Sequence, residues 1–174
     1  MNITSTQIGQ IAVNLVINSL IIESAGRLSP FQPVADDYGI DLLIYDKTTG
    51  RALPLQVKAR TKTLKKSGCQ DRGNTVHFEA RAVALQNKGR TELLAILLNE
   101  EMTAITVMWL IPLLVFTDVA SKRKGKFVIR PNRSLDSKDK FKQYQLPSMK
   151  ALVAHLTTRF ERFDRTFPAM SVLR

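Results

Sequence analysis

Between Thr4 and Gly26 the apolar residues fall at helical spacing. Ile8, Ile11, Ala12, Leu15 and Ile22 form a stripe, and Val13, Val16, Ile17, Leu20 and Ile21 extend it almost all round. The pattern predicts a helix with Thr4 as N-cap and Gln7 at the third helical position, a capping box, running to about Ser24 and stopped by Gly26. A helix this apolar is expected to be buried on more than one side, between a sheet and another helix or a second subunit. Its polar residues are few: Gln7, Gln10, Asn14, Asn18 and Glu23.

The period then changes from helical to alternating. After a loop, Arg27 to Asp37, which contains Pro30 and Pro33, come two short alternations joined by a turn. Read as strands, Ile40, Leu42 and Ile44 point one way and Asp41, Leu43 and Tyr45 the other. In the second strand Leu55, Val57 and Ala59 share one face, and Gln56, Lys58 and Arg60 the opposite one. The Asp46–Arg51 segment, with its Thr and Gly residues, suits a hairpin turn. If Asp46 lies across from Arg51, then Asp41 lies across from Gln56, and Lys58 is one diagonal step away.

Further along, Thr75 to Ala80 predicts a strand and Arg81 to Gly89 a short helix. In that strand Val76 and Phe78 share one face and His77 and Glu79 the other, which leaves His77 either a general base or an edge histidine without catalytic work. Glu92 to Leu98 is a continuous apolar run suited to a buried central strand. Thr103 to Leu110 predicts another strand, and Pro112, at a first helical position, opens a helix to Ala120. A basic run, Ser121 to Lys126, precedes a short strand, Phe127 to Ile129. Pro147 and Ser148 start a last helix, with Met149, Leu152, Val153, Leu156, Phe160 and Phe163 at helical spacing. There is no internal repeat, no Gly-rich phosphate loop and no Ser-His-Asp arrangement.

Composition narrows the class. A chain of 174 residues with 44% hydrophobic content suits one globular domain. We expect a single domain over 1–174, with a core over about 4–120 and a basic hairpin and C-terminal helix over about 121–165. No uninterrupted apolar run reaches membrane-spanning length, the nearest, Ile105 to Val119, being broken by Pro112 and Asp118, so no membrane partner is expected. The N-terminus has no leader pattern, and the single Cys69 forbids an internal disulfide, both of which fit the cytoplasm. With only His77 and His155 beside it, a Cys/His zinc site is close to excluded. The net charge of +11 attracts polyanions. The cations are placed to matter: Arg60, Lys62, Lys65 and Lys66 leave directly from the Gln56–Lys58 strand, and Lys122, Arg123, Lys124 and Lys126 form a second cluster. They are candidates for contact with a nucleic-acid backbone.

An acid, an amide oxygen and an ammonium on one sheet face outline a divalent-metal and phosphate site. Gly39-Ile40-Asp41-Leu42-Leu43-Ile44 followed by Leu55-Gln56-Val57-Lys58 resembles the metal-binding hairpin of the PD-(D/E)xK, or restriction-endonuclease-like, nuclease superfamily, in a Gln-x-Lys variant. The resemblance implies an α/β fold with a restriction-endonuclease-like core, a central mixed β-sheet of about five strands flanked by helices. It implies a Mg²⁺- or Mn²⁺-dependent endonuclease acting on DNA, with Asp41, Gln56 and Lys58 as catalytic residues. Asp41, Gln56 and the backbone carbonyl of Val57 would be the metal ligands, and Lys58 would orient water or stabilise charge on the phosphate.

The chain also departs from the pattern. Gln56 replaces the commoner acid, and the helix position where relatives carry a glutamate, a turn after a glycine like Gly9, is Val13. Glu23, the only acid of that helix, is either a displaced ligand or a solvated helix-end carboxylate. Asn14 or Asn18 would serve by holding a water, and Asp37, ahead of Asp36, as an accessory carboxylate. These departures support the alternative of an inactive nuclease-fold module for nucleic-acid binding or protein interaction. The apolar first helix or the C-terminal helix would also suit a homodimer contact.

Overall fold

The computed structural model describes residues 3–35, 39–64, 73–81, 91–123 and 125–166. The first helix, α1 (Ser5–Glu23), begins on the expected capping box, Thr4 and Gln7 exchanging side-chain and backbone hydrogen bonds. Its chain reverses through Ala25 and Gly26, both at positive φ, the conformation that favours glycine at Gly26. Next come β1 (Leu28–Phe31), β2 (Leu42–Asp46), β3 (Arg51–Arg60), β4 (Phe78–Arg81), β5 (Glu92–Leu98) and β6 (Ile105–Pro112). Helix α2 (Leu113–Val119), strands β7 (Ser121–Arg123), β8 (Lys126–Ile129) and β9 (Gln145–Leu146), and helix α3 (Met149–Thr166) complete the order.

Six strands make the central sheet, in the order β1-β2-β3-β5-β6-β9, with β3 and β5 parallel and the other neighbours antiparallel. It is a mixed α/β fold with the helices flanking the sheet. The alternation of β3 divides its side chains between two environments. Leu53, Leu55, Val57 and Ala59 enter a core with Leu94, Ile96, Met108 and Leu110, covered by α1 and α3 through Ala12, Val16, Leu20, Leu152, Leu156 and Phe160. On the other face Leu93, Ala95, Leu97, Trp109 and Ile111 of β5 and β6 form a second core with Phe78, Leu113, Phe116 and Ile129. That second cover draws on β5 and β6 but not on β1 and β2, whose outward residues Phe31, Leu43 and Tyr45 stay exposed.

Several expectations need correction. The Arg27–Asp37 loop contains an edge strand, β1, which tolerates Pro30 because an edge leaves one side of the ladder unpaired. The strand expected at Thr75 to Ala80 is Phe78–Arg81, preceded by an isolated bridge from Thr75 to Asn132. It belongs to a separate three-stranded sheet, β4-β8-β7, and not to the central one. The strand expected from Thr103 starts at Ile105, because the Asn99 side chain takes the backbone N–H groups of Thr103 and Ala104 in a tight turn. Pro112 is the N-cap of α2 and not its first helical residue. Ile22, placed in the buried stripe, is 74% exposed.

By length and composition α1 is apolar enough to cross a membrane, although polar residues interrupt its apolar run. Here it lies on the sheet, with Ala12, Val13, Val16 and Leu20 buried. The helix expected at Arg81 to Gly89 falls largely outside the described residues.

Candidate active site

The β2–β3 hairpin has the expected register, Asp46 opposite Arg51 and Leu42 opposite Leu55, which sets Asp41 across from Gln56. Asp41 sits just before β2. Its N–H donates to the Leu55 carbonyl at 2.9 Å, and its carboxylate Oδ2 accepts from the Val57 N–H at 2.6 Å. The carboxylate is thereby fixed against the middle of β3. In a strand, the N–H and C=O of one residue leave on the same side, so the Val57 carbonyl faces the Asp41 edge as well.

Gln56 is 1% exposed, and its side-chain Oε1 has no hydrogen-bond partner. A buried amide oxygen left unpaired costs about 1–3 kcal/mol, and such atoms in folded proteins call for a reason. Lys58, half-buried, stands on the same face about 7 Å further along the strand. Gln56 is paired with Leu93 and Lys58 with Ala95, so both back onto the covered half of the sheet. Asp41, Gln56 and Lys58 therefore mark the boundary between the covered half of this face and the open half formed by β1 and β2.

Pro54 explains part of this placement. The parallel ladder begins at Leu55 opposite Glu92, so the missing N–H of Pro54 falls just before β5 starts. Among the described residues no group of three or more His, Cys, Asp or Glu side chains converges. The donors here are one carboxylate, one neutral amide oxygen and one backbone carbonyl, all hard oxygens. That set fits an ion of the magnesium type, which retains several of its waters.

The other candidates are dispersed. Glu23 is exposed at the end of α1, four residues before Arg27, which pairs with Asp46 at the opposite end of β2 from Asp41. Asn14 is exposed on α1 and accepts from Gln10 at 3.1 Å, and α1 covers the face of the sheet opposite to Gln56. Val13 is buried in that same core. Asp36, Asp37, Lys65, Lys66 and Lys124 lie outside the described residues.

Arg60 shares the face of Lys58 and is engaged, its Nε donating to the His77 carbonyl at 3.0 Å and its Nη1 to Ala59. Lys62 is exposed just beyond β3. Lys122 and Arg123 are exposed on β7, and Lys126 on β8 donates to Glu79 at 2.7 Å. His77 bridges Glu79 through Nε2 at 3.1 Å and takes the Arg130 guanidinium on Nδ1 at 3.3 Å. Both ring nitrogens are thus committed to holding the small sheet together. Lys126 first, then His77, hold the Glu79 carboxyl down at about 2.

Two buried ion pairs were not visible along the sequence. Arg27 grips Asp46 through Nε and Nη2, at 2.9 and 3.0 Å, and reaches Glu161 of α3. Glu92, fully buried at the start of β5, pairs with Arg159 of α3. Glu161, through Arg27, and Arg159, through Glu92, tie α3 to the sheet.

The assembled fold is similar to a solved structure of a bacterial homing endonuclease, I-Ssp6803I, with a TM-score of 0.62 and 16% identity. The match covers 94% of this chain and 99% of that one. The chain has a nuclease-like fold. No protein-family model and no curated protein matches it by sequence.

Proposed function

We propose that this protein is a metal-dependent endonuclease of the PD-(D/E)xK type, hydrolysing phosphodiesters in DNA. The observation that carries the reading is the unpaired, buried Oε1 of Gln56 on the face shared by Asp41 and Lys58, within a nuclease-like fold. Asp41, Gln56 and the Val57 carbonyl would hold Mg²⁺ or Mn²⁺. When bound, the ion supplies polarisation of the phosphate and a lower pKa for the attacking water.

The chain's own groups do the rest. Asp41 is oriented by the Val57 N–H, so its carboxylate is already placed before substrate arrives. Lys58 offers its ammonium to a phosphate oxygen or to the water that attacks, stabilising charge as it develops. A single carboxylate makes a weaker metal site than two would, so a high metal requirement is expected.

The experiment is cleavage of plasmid, linear, single-stranded and branched DNA, and of RNA, in Mg²⁺ or Mn²⁺. Asp41→Ala and Lys58→Ala are each expected to lose about a hundredfold or more of the rate. Cleavage that survives both substitutions overturns the assignment. The second reading, an inactive binding module, is favoured by Val13 where relatives carry an acid and by the neutral Gln56. Salt-sensitive binding without cleavage of any of these substrates would establish it.

A further inference from the structure

Beside the proposed site the sheet face is apolar and partly exposed. Across the three-stranded edge, Phe31 of β1 pairs with Leu43 of β2, and Leu43 with Pro54 of β3, so the three side chains form one row. Tyr45, opposite Ser29 and Ala52, stands in the next row on the same face. Phe31 is 54% exposed, and Leu43 and Tyr45 are each 37% exposed. With strands about 4.8 Å apart the Phe31–Leu43–Pro54 row is about 10 Å wide, and the Tyr45 row lies about 7 Å beyond it. Asp41 and Gln56 form the row on the other side of Leu43. The ledge is therefore continuous with the proposed site.

We infer that this ledge is a stacking subsite for unpaired bases, so that the preferred ligand is single-stranded nucleic acid or DNA with bases out of the stack. This deepens the nuclease reading by naming the form of its substrate. A duplex hides its base faces and offers mainly phosphates and polar groove edges, which a flat apolar ledge meets poorly. Unpaired bases expose apolar faces that stack on aromatic side chains whatever their sequence. Charge supports the occupant: Lys58 stands on the same face beyond the Asp41–Gln56 row, about 13 Å from Pro54, and the chain carries +11 overall. The same excess opposes docking a second copy face to face through this patch.

The test is binding of labelled single-stranded, duplex and bubble oligonucleotides by the full chain in EDTA, so that cleavage plays no part. Single strand and bubble should bind at least about tenfold tighter than duplex. Tyr45→Ala and Phe31→Ala should each lose about tenfold for single strand (about 1.4 kcal/mol), while Tyr45→Phe and Phe31→Tyr keep the affinity. Rings that can be replaced by one another but not removed separate stacking from a folding defect, and thermal melting of each variant checks the fold. Equal affinity for duplex and single strand, or alanine variants that bind as well as the parent, would overturn the inference. So would a concentration-dependent dimer that Tyr45→Ala abolishes, because the ledge would then be a contact between copies. Metal-dependent cleavage without any preference for unpaired strands leaves the nuclease reading standing and this one fallen. Ring-dependent single-strand binding without cleavage does the reverse.

Discussion

Under the proposed function, Gln56 sets stability against metal binding in one side chain. Its Oε1 is buried and unpaired, so replacing it by an apolar group of similar size removes a cost and no partner. Gln56→Leu is expected to leave urea-unfolding stability unchanged or raise it by about 1 kcal/mol, while the metal concentration for half-maximal cleavage rises. Gln56→Glu should lower that metal concentration, because it restores a second charged oxygen. A Gln56→Leu protein that is clearly less stable would mean that the amide has a structural partner after all. Asp46 is the opposite case, a buried carboxylate fully engaged. The Arg27 guanidinium beside it holds its pKa below the usual carboxylate value, with Thr49 and the Thr48 N–H assisting. A depressed folded pKa contributes stability that is present above the unfolded value, about 3.9, and lost as pH falls through the folded one. Stability should therefore drop below about pH 4. Asp46→Asn, by leaving Arg27 without its counter-charge, should cost about 3 kcal/mol at neutral pH and flatten that acid limb. Denaturant melts at pH 6, 4 and 3 check both statements. Glu79, partly exposed and held at about 2, should add a weaker loss in the same direction.

At the scale of elements, the hairpin carries the proposed site and α1 packs on the face behind it. The capping box at Thr4 is exposed and local, so Thr4→Ala should cost about 1 kcal/mol, read by thermal or urea unfolding, without altering nucleic-acid affinity. The α1 stripe was legible because apolar side chains at helical spacing have to meet something, and both α3 and the sheet meet them. Which residues lose contact at the end of the helix was not legible, and Ile22 is the example. Leu20 is buried in the same turn, and Ile22, two residues on, lies on the side of α1 away from it. β1 was missed because two prolines read as a loop, whereas an edge strand needs only one paired side.

For the whole molecule the basic charge is the property with the widest consequence. If it serves a polyanion, the observed binding constant should fall steeply with salt, log K declining linearly against log salt. Binding titrations between 50 and 300 mM salt measure the slope, and a flat line would remove the electrostatic reading. The small β4-β8-β7 sheet decides what the rest of the molecule leaves open. Its contacts draw on β5 and β6 and not on β1 and β2, so Asp41 stands at the margin of that cover.

The sequence by itself determined the capping of α1, the alternation of β2 and β3, their register, and hence the alignment of Asp41 with Gln56 and Lys58. All of these follow from short-range periodicity, in which a single residue step exchanges the faces of a strand. The tertiary structure decided what lies against each face: that Gln56 is buried without a partner, that Glu23 and Asn14 lie away from the site, that Asp46 and Glu92 are gripped by arginines, and that Phe31, Leu43 and Tyr45 remain in solvent. Those outcomes depend on residues brought together from distant parts of the chain. The same alternation that places Leu43 and Tyr45 beside Asp41 is silent about whether a second layer covers them. The hairpin could be read from its own residues; the ledge beside it could be seen only once the small sheet was found to stop at β5 and β6.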